Sequence, residues 1–183
     1  GLLHTHSLNG NKRDAKQIQT ANAPPEYVIN LYKNMGYNFI ALSEYNMLVK
    51  NDRWIEILSS KESTGNNFNL DILNEHLESF GKNFYDIKYS NEKVFLKLKN
   101  TKKLIEQFNE QEKFSLIAAS EISGGNADMI LVNHTDQVQP IESDKNNYSM
   151  FKRLIKEKNK QINKYAKPII FIIAHPERGY FLE

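Results

Sequence analysis

Three features of the sequence predict an α/β fold built on a mostly parallel sheet. Amphipathic helical stretches alternate with short apolar runs along the chain. The runs, residues 37–42, 114–119, 129–132 and 169–174, are apolar apart from Asn38 and Ser115, as expected of strands buried on both faces of a parallel sheet; half-exposed antiparallel strands would alternate. Each run gives way to polar or ionisable residues at its C-terminal end, where such sheets collect functional side chains.

The elements follow in order. Leu2-Leu3 reads as a short opening strand. Pro24-Pro25-Glu26 starts a helix in which Val28, Leu31, Tyr32 and Met35 recur at i, i+3, i+4 and i+7, with Gly36 where a C-terminal cap belongs. After the strand at 37–42, residues 47–112 read as an insertion. It holds a helix near Trp54, a polar stretch at 59–69, a helix at 71–80 closed by Gly81, and a hairpin pairing 84–89 with 94–98. It ends in a helix at 101–108 that carries Leu104, Ile105 and Phe108 on one face. Strands at 114–119 and 129–132, a lysine-rich amphipathic helix at 149–165 and a strand at 169–174 complete the chain.

A length of 183 residues with 40% hydrophobic content suits a single domain over 1–183 with its own core. With 24 basic against 22 acidic residues and a formal charge of +2, the balance is too even for a nucleic-acid or membrane surface. No basic stripe interleaved with aromatics stands out, so nucleic acid is not an expected partner. No apolar run reaches the roughly 20 residues of a membrane span. The absence of cysteine excludes disulfides and thiolate metal sites, leaving any metal to nitrogen and oxygen ligands. The lack of an initiator methionine and the short run after the 169–174 strand read as a fragment, missing its last strands and open to a lost leader. The compartment, cytoplasmic or secreted, stays open, as does the oligomeric state.

The candidate site comes from the strand ends. His4 and His6 follow Leu2-Leu3, and in extended backbone residues i and i+2 point to the same side, so both imidazoles can address one ion. An isolated His-x-His pair is as well read as two surface histidines, but this pair is not isolated. Glu121 ends the 114–119 strand and His175 ends the last one, which completes a set of nitrogen and oxygen donors suited to zinc, manganese or iron. His134 shares strand parity with Asp128 and is either a ligand or a strand-end residue. His76, in the helix at 71–80, reads as a solvated or packing residue.

These residues resemble the polymerase and histidinol phosphatase (PHP) superfamily of metal-dependent phosphoesterases. The likeness lies in Leu3-His4-Thr5-His6-Ser7, Ala41-Leu42-Ser43-Glu44-Tyr45-Asn46, Ala119-Ser120-Glu121-Ile122-Ser123 and Ala174-His175-Pro176, with further similarity at 75–81, 95–99 and 112–114 to one bacterial branch. The resemblance implies a distorted (β/α)7 TIM-like barrel with up to three divalent ions at the C-terminal strand ends, hydrolysing a small phosphorylated substrate. It implies that His4, His6 and Glu121 hold one ion and that Glu121 and His175 serve a second and take part in catalysis; Arg178, close to His175 in sequence, either reaches a phosphate or is a plain surface arginine.

The departures are equally specific. Asn9 stands where the family carries a carboxylate, Glu44-Tyr45 replaces an Asp-His pair, Asp128 aligns with a family histidine, and the C-terminal Asp-x-His is absent. One or two ions are therefore expected, with Asp128 or His134 substituting. The alternative is a catalytically degenerate relative with a binding or structural role.

Overall fold

The computed structural model describes residues 1–8, 23–63, 68–123 and 127–175; Asn9 and Arg178 lie outside them. Pro25 sits at the first helical position, where its missing amide hydrogen removes no intrahelical bond, and α1 runs Pro25–Asn34. Gly36, at φ 82°, turns the chain out of that helix into β2 (Phe39–Tyr45). Before them comes β1 (Leu2–Thr5). The chain continues through β3 (Arg53–Ile57), α2 (Leu70–Phe80), β4 (Ile87–Ser90), β5 (Lys93–Leu98), α3 (Thr101–Phe108), β6 (Ser115–Ser123) and β7 (Asp128–Val132). A 3₁₀ turn (Glu142–Lys145), α4 (Asn147–Tyr165) and β8 (Ile170–Ala174) follow.

These strands do not make the expected (β/α)7 barrel. Five of them form a curled mixed sheet in the order β1-β2-β6-β7-β8, a half-barrel, and β3-β5-β4 form a separate antiparallel sheet. β1, β2 and β6 pair in parallel, whereas β7 is antiparallel to both β6 and β8. The physical reason lies in a connection length. Only residues 124–127 separate β6 from β7, and a parallel crossover needs a dozen or more, so the chain can only fold back as a hairpin.

The helix expected near Trp54 is also corrected, since that segment is β3. Its residues alternate in the two-residue period of a strand: Ile55 and Ile57 pack inward with Leu96 and Val94, while Trp54 faces out opposite Lys97. The expected hairpin is present as β4 and β5, joined by Asn91 and Glu92 at φ 49° and 61°, the left-handed pair that a tight hairpin requires.

The helices α1, α3 and α4 cover one face of the five-stranded sheet. Val28 and Ile29 of α1 and Leu104 and Phe108 of α3 pack on Ile40, Leu42 and Leu116; Met150 and Leu154 of α4 pack on Ile122, Met129 and Leu131. The other, inner face carries smaller side chains, Ala41, Ala119, Ala174 and Val132, with Ile130 among them. On the second sheet, α2 packs Leu73 against Ile57, Leu96 and Leu98.

α1 also buries Glu26. The residue has no solvent exposure, neither carboxylate oxygen has a hydrogen-bond partner, and Lys99 Nζ approaches to 3.6 Å. Burial outweighs the nearby lysine and pushes this carboxyl up to about 7.

Two stability predictions result. Leu154→Ala should destabilise the fold by about 2–5 kcal/mol, because it empties a fully enclosed site between α4 and β7; urea titration reads it as a lower midpoint. Glu26 has a folded pKa above its unfolded value, so its contribution is intact below about pH 4.5 and is lost as pH rises through about 7. Glu26→Gln should flatten the pH dependence of unfolding across that window by an amount on the order of 3 kcal/mol, seen by comparing denaturation of the two proteins at pH 5 and pH 8.

Candidate metal centre

Because β1, β2, β6 and β8 run the same way, their C-terminal ends share one edge of the sheet. β1 brings His4 and His6 there, β2 brings Glu44 and Tyr45, β6 brings Glu121, and His175 follows β8. A shift in register between Leu2 and Thr5 loosens strict alternation along β1. Leu2 packs with the helix-covered face and Leu3 with the inner face, and both imidazoles reach the inner-face carboxylate of Glu121.

Three donor atoms meet. His4 Nε2 and His6 Nε2 lie 3.4 and 2.9 Å from Glu121 Oε2, and the two nitrogens are 2.9 Å from each other. His175 joins through His4 and Glu121, with one ligand atom from each of the three within 4.8 Å of the others. Its imidazole ring centre is 5.4 Å from that of His4, and its backbone is held at φ 52°, a left-handed conformation that is uncommon outside glycine and concentrates at functional sites.

Glu121 is fully enclosed, yet neither of its oxygens accepts a well-directed hydrogen bond. Burial alone would raise its pKa; the two imidazoles against it outweigh that and hold the carboxyl at about 2. A carboxylate ionised at neutral pH therefore sits enclosed beside two imidazole nitrogens 2.9 Å apart, whose donor and acceptor roles depend on their tautomers. Such a set of donors can also hold a cation. The triangle of donors has the size that puts each corner about 2.0–2.2 Å from an ion just above its plane, the distance range of zinc to imidazole nitrogen and carboxylate oxygen. The residues present fit a divalent metal.

Support comes from β2. Tyr45 stacks on the His6 ring at 4.7 Å with planes 3° apart. Asn46, at φ 52°, clasps the end of β6: its side chain accepts from Ser123 N–H at 2.8 Å and donates to Ser123 C=O at 3.2 Å, while its own N–H donates to the Glu121 carbonyl at 2.7 Å. Glu44 is buried and accepts from Ser7, through the backbone N–H at 3.1 Å to both oxygens and the hydroxyl at 2.5 Å. Burial drives its carboxyl up to about 7 despite those bonds. The sequence places Glu44-Tyr45 at a strand end without making either a site residue, and the structure sets both beside His6.

The remaining candidates fall elsewhere. Asp128 starts β7 opposite Ala174, at the same edge as the cluster, and is not among its three gathered ligands. His134 is drawn away because β7 runs in reverse, so its end points from the shared edge. Asn133, at φ 66°, breaks the strand parity, and the His134 ring turns to Ser120, which alternates to the opposite side of β6 from Glu121. Both ring nitrogens are engaged: Nδ1 donates to the Asp136 carbonyl at 2.9 Å, which leaves Nε2 to accept from the Ser120 hydroxyl at 2.7 Å. His76 packs between Tyr27 and Tyr85 and hydrogen-bonds the Tyr85 hydroxyl at 2.7 Å.

Compared with family profiles, curated proteins and solved structures, the chain gives no match.

The account of His134 is open to measurement. Burial lowers its pKa, so the ring should remain neutral, Nδ1-protonated, at pH values where a free histidine is half charged. Nitrogen-15 spectra of labelled protein should show that tautomer, and adding Zn²⁺ should leave its signals in place while those of His4 and His6 move.

Proposed function

We propose that this chain is a metal-dependent hydrolase acting on a phosphate ester, in keeping with its resemblance to PHP phosphoesterases. The observation that carries the reading is the buried Glu121 carboxylate, without a directed hydrogen bond, in a triangle of donors with His4 and His6. His4, His6 and Glu121 would hold the ion, with His175 close enough to share it. Such an ion, when bound, lowers the pKa of water to near neutrality and offsets the negative charge that builds on a phosphoryl group under attack.

The chain's own residues supply the rest. Glu121 provides fixed negative charge from the enclosed side. The side chains of His4 and His6 are 25% and 16% exposed against none for Glu121, so a substrate approaches from the imidazole side. Asn46 holds the backbone of Glu121 in place, and Tyr45 keeps the His6 ring from turning.

One observation favours a second reading, a degenerate relative that binds without turnover. Glu44 is engaged by Ser7 and Tyr45 lies flat on His6, so neither adds a ligand where the related pattern has one.

The two readings part in a single experiment. Protein freed of metal by chelation should bind about one or two equivalents of Zn²⁺ or Mn²⁺ by calorimetry and then hydrolyse p-nitrophenyl phosphate. Glu121→Gln and His4→Ala should each lose both properties, with turnover falling at least about 100-fold. Binding with no turnover on any phosphomonoester or diester would establish the second reading, and no binding at all would refute both.

A further inference from the structure

We propose that Glu44 is a positioning residue for His6: it fixes the imidazole so that Nε2 is aimed at the cation while a carboxyl oxygen stands behind Nδ1. The inference rests on the metal-site reading above and goes past it, because it assigns a role to a carboxylate that makes no contact with the three donor atoms.

The argument starts from how differently the histidines are held. His6 is constrained from three directions. Its Nε2 is 2.9 Å from Glu121, one ring face is covered by Tyr45, and its Nδ1 is turned to Glu44 Oε2 at 3.9 Å. That Nδ1 is buried and makes no hydrogen bond. Opposite it stands a carboxylate that is itself fully enclosed and fixed by Ser7, the residue next to His6 in the chain.

Glu44 thus acts on His6 twice. It holds the backbone one residue on, through the Ser7 N–H and hydroxyl, and it places a carboxyl oxygen 3.9 Å from the ring nitrogen that does not face Glu121. A carboxylate on that side favours the Nδ1–H tautomer, which frees the Nε2 lone pair and makes it a better donor. His4 lies against Glu121 and beside His175.

The test measures metal affinity and tautomer together. Co²⁺ and Zn²⁺ dissociation constants would be obtained by competition with a chelator for the wild-type chain, Glu44→Gln and Glu44→Asp, and the His6 tautomer read from long-range nitrogen-15 spectra. The glutamine variant keeps an oxygen for the Ser7 hydroxyl but removes the charge. It should bind both ions 10- to 100-fold more weakly and shift the Co²⁺ absorption bands, with the aspartate variant recovering part of the loss. A role confined to stability would lower the melting temperature and leave tautomer and bands unchanged.

Wild-type affinity in Glu44→Gln, within twofold and with the same tautomer, would overturn the proposal and leave the metal-site reading standing. A wild-type chain that binds neither ion would end both. Should Glu44→Gln fail to fold, the wild-type spectrum decides alone: His6 with its proton on Nε2 in the metal-loaded protein contradicts the proposal.

Discussion

The carboxylate of Glu121 is the feature on which the site depends. An ionised side chain with no solvent exposure and no directed hydrogen bond is among the most unfavourable groups a fold can enclose. It persists here because β6 is the central strand of the five-stranded sheet, bonded along its length to β2 and β7, and cannot rotate its side chain out to water. The imidazoles of His4 and His6 are held against that charge. The strand supplies rigidity, and rigidity keeps the three groups together.

Stability and chemistry occupy opposite faces of that sheet. Large aliphatic and aromatic side chains from α1, α3 and α4 interlock on one face, where packing density resists change in volume. The other face carries Ala41, Ala119 and Ala174 beside Val132 and Ile130 and, at its edge, His4, Glu121 and His175. Alternation along each strand makes the separation possible: in β6, Leu116 and Ile122 serve the helix side while Ala119 and Glu121 serve the inner side. The helix-covered half can hold the strands in register while the polar half carries groups that contribute little to stability.

How much could be read from residues alone differs between element and arrangement. The helices over 25–34, 70–80, 101–108 and 147–165, and the strands at 39–45, 115–123, 128–132 and 170–174, lie within a few residues of where periodicity and caps put them. The exceptions have definite causes. The helix expected near Trp54 is a strand, because the two-residue alternation of Ile55 and Ile57 is used where Leu96 and Val94 pair with them. His134 looked equivalent to Asp128 by counting, but a left-handed turn at Asn133 ended the counting.

What the sequence by itself determined was local: which segments are helix or strand, and that imidazoles and carboxylates stand at strand ends. These are set by side-chain period, caps and chain stiffness within a dozen residues. Strand direction and sheet order were decided only in three dimensions, since a continuous apolar run is buried equally well whichever way it runs. That undetermined choice replaced a closed barrel with an open mixed sheet and moved His134 away from the cluster. It also brought Glu44 and Tyr45, 38 and 39 positions beyond His6, to the side and face of its ring, because parallel pairing of β1 with β2 sets the two strand ends next to each other.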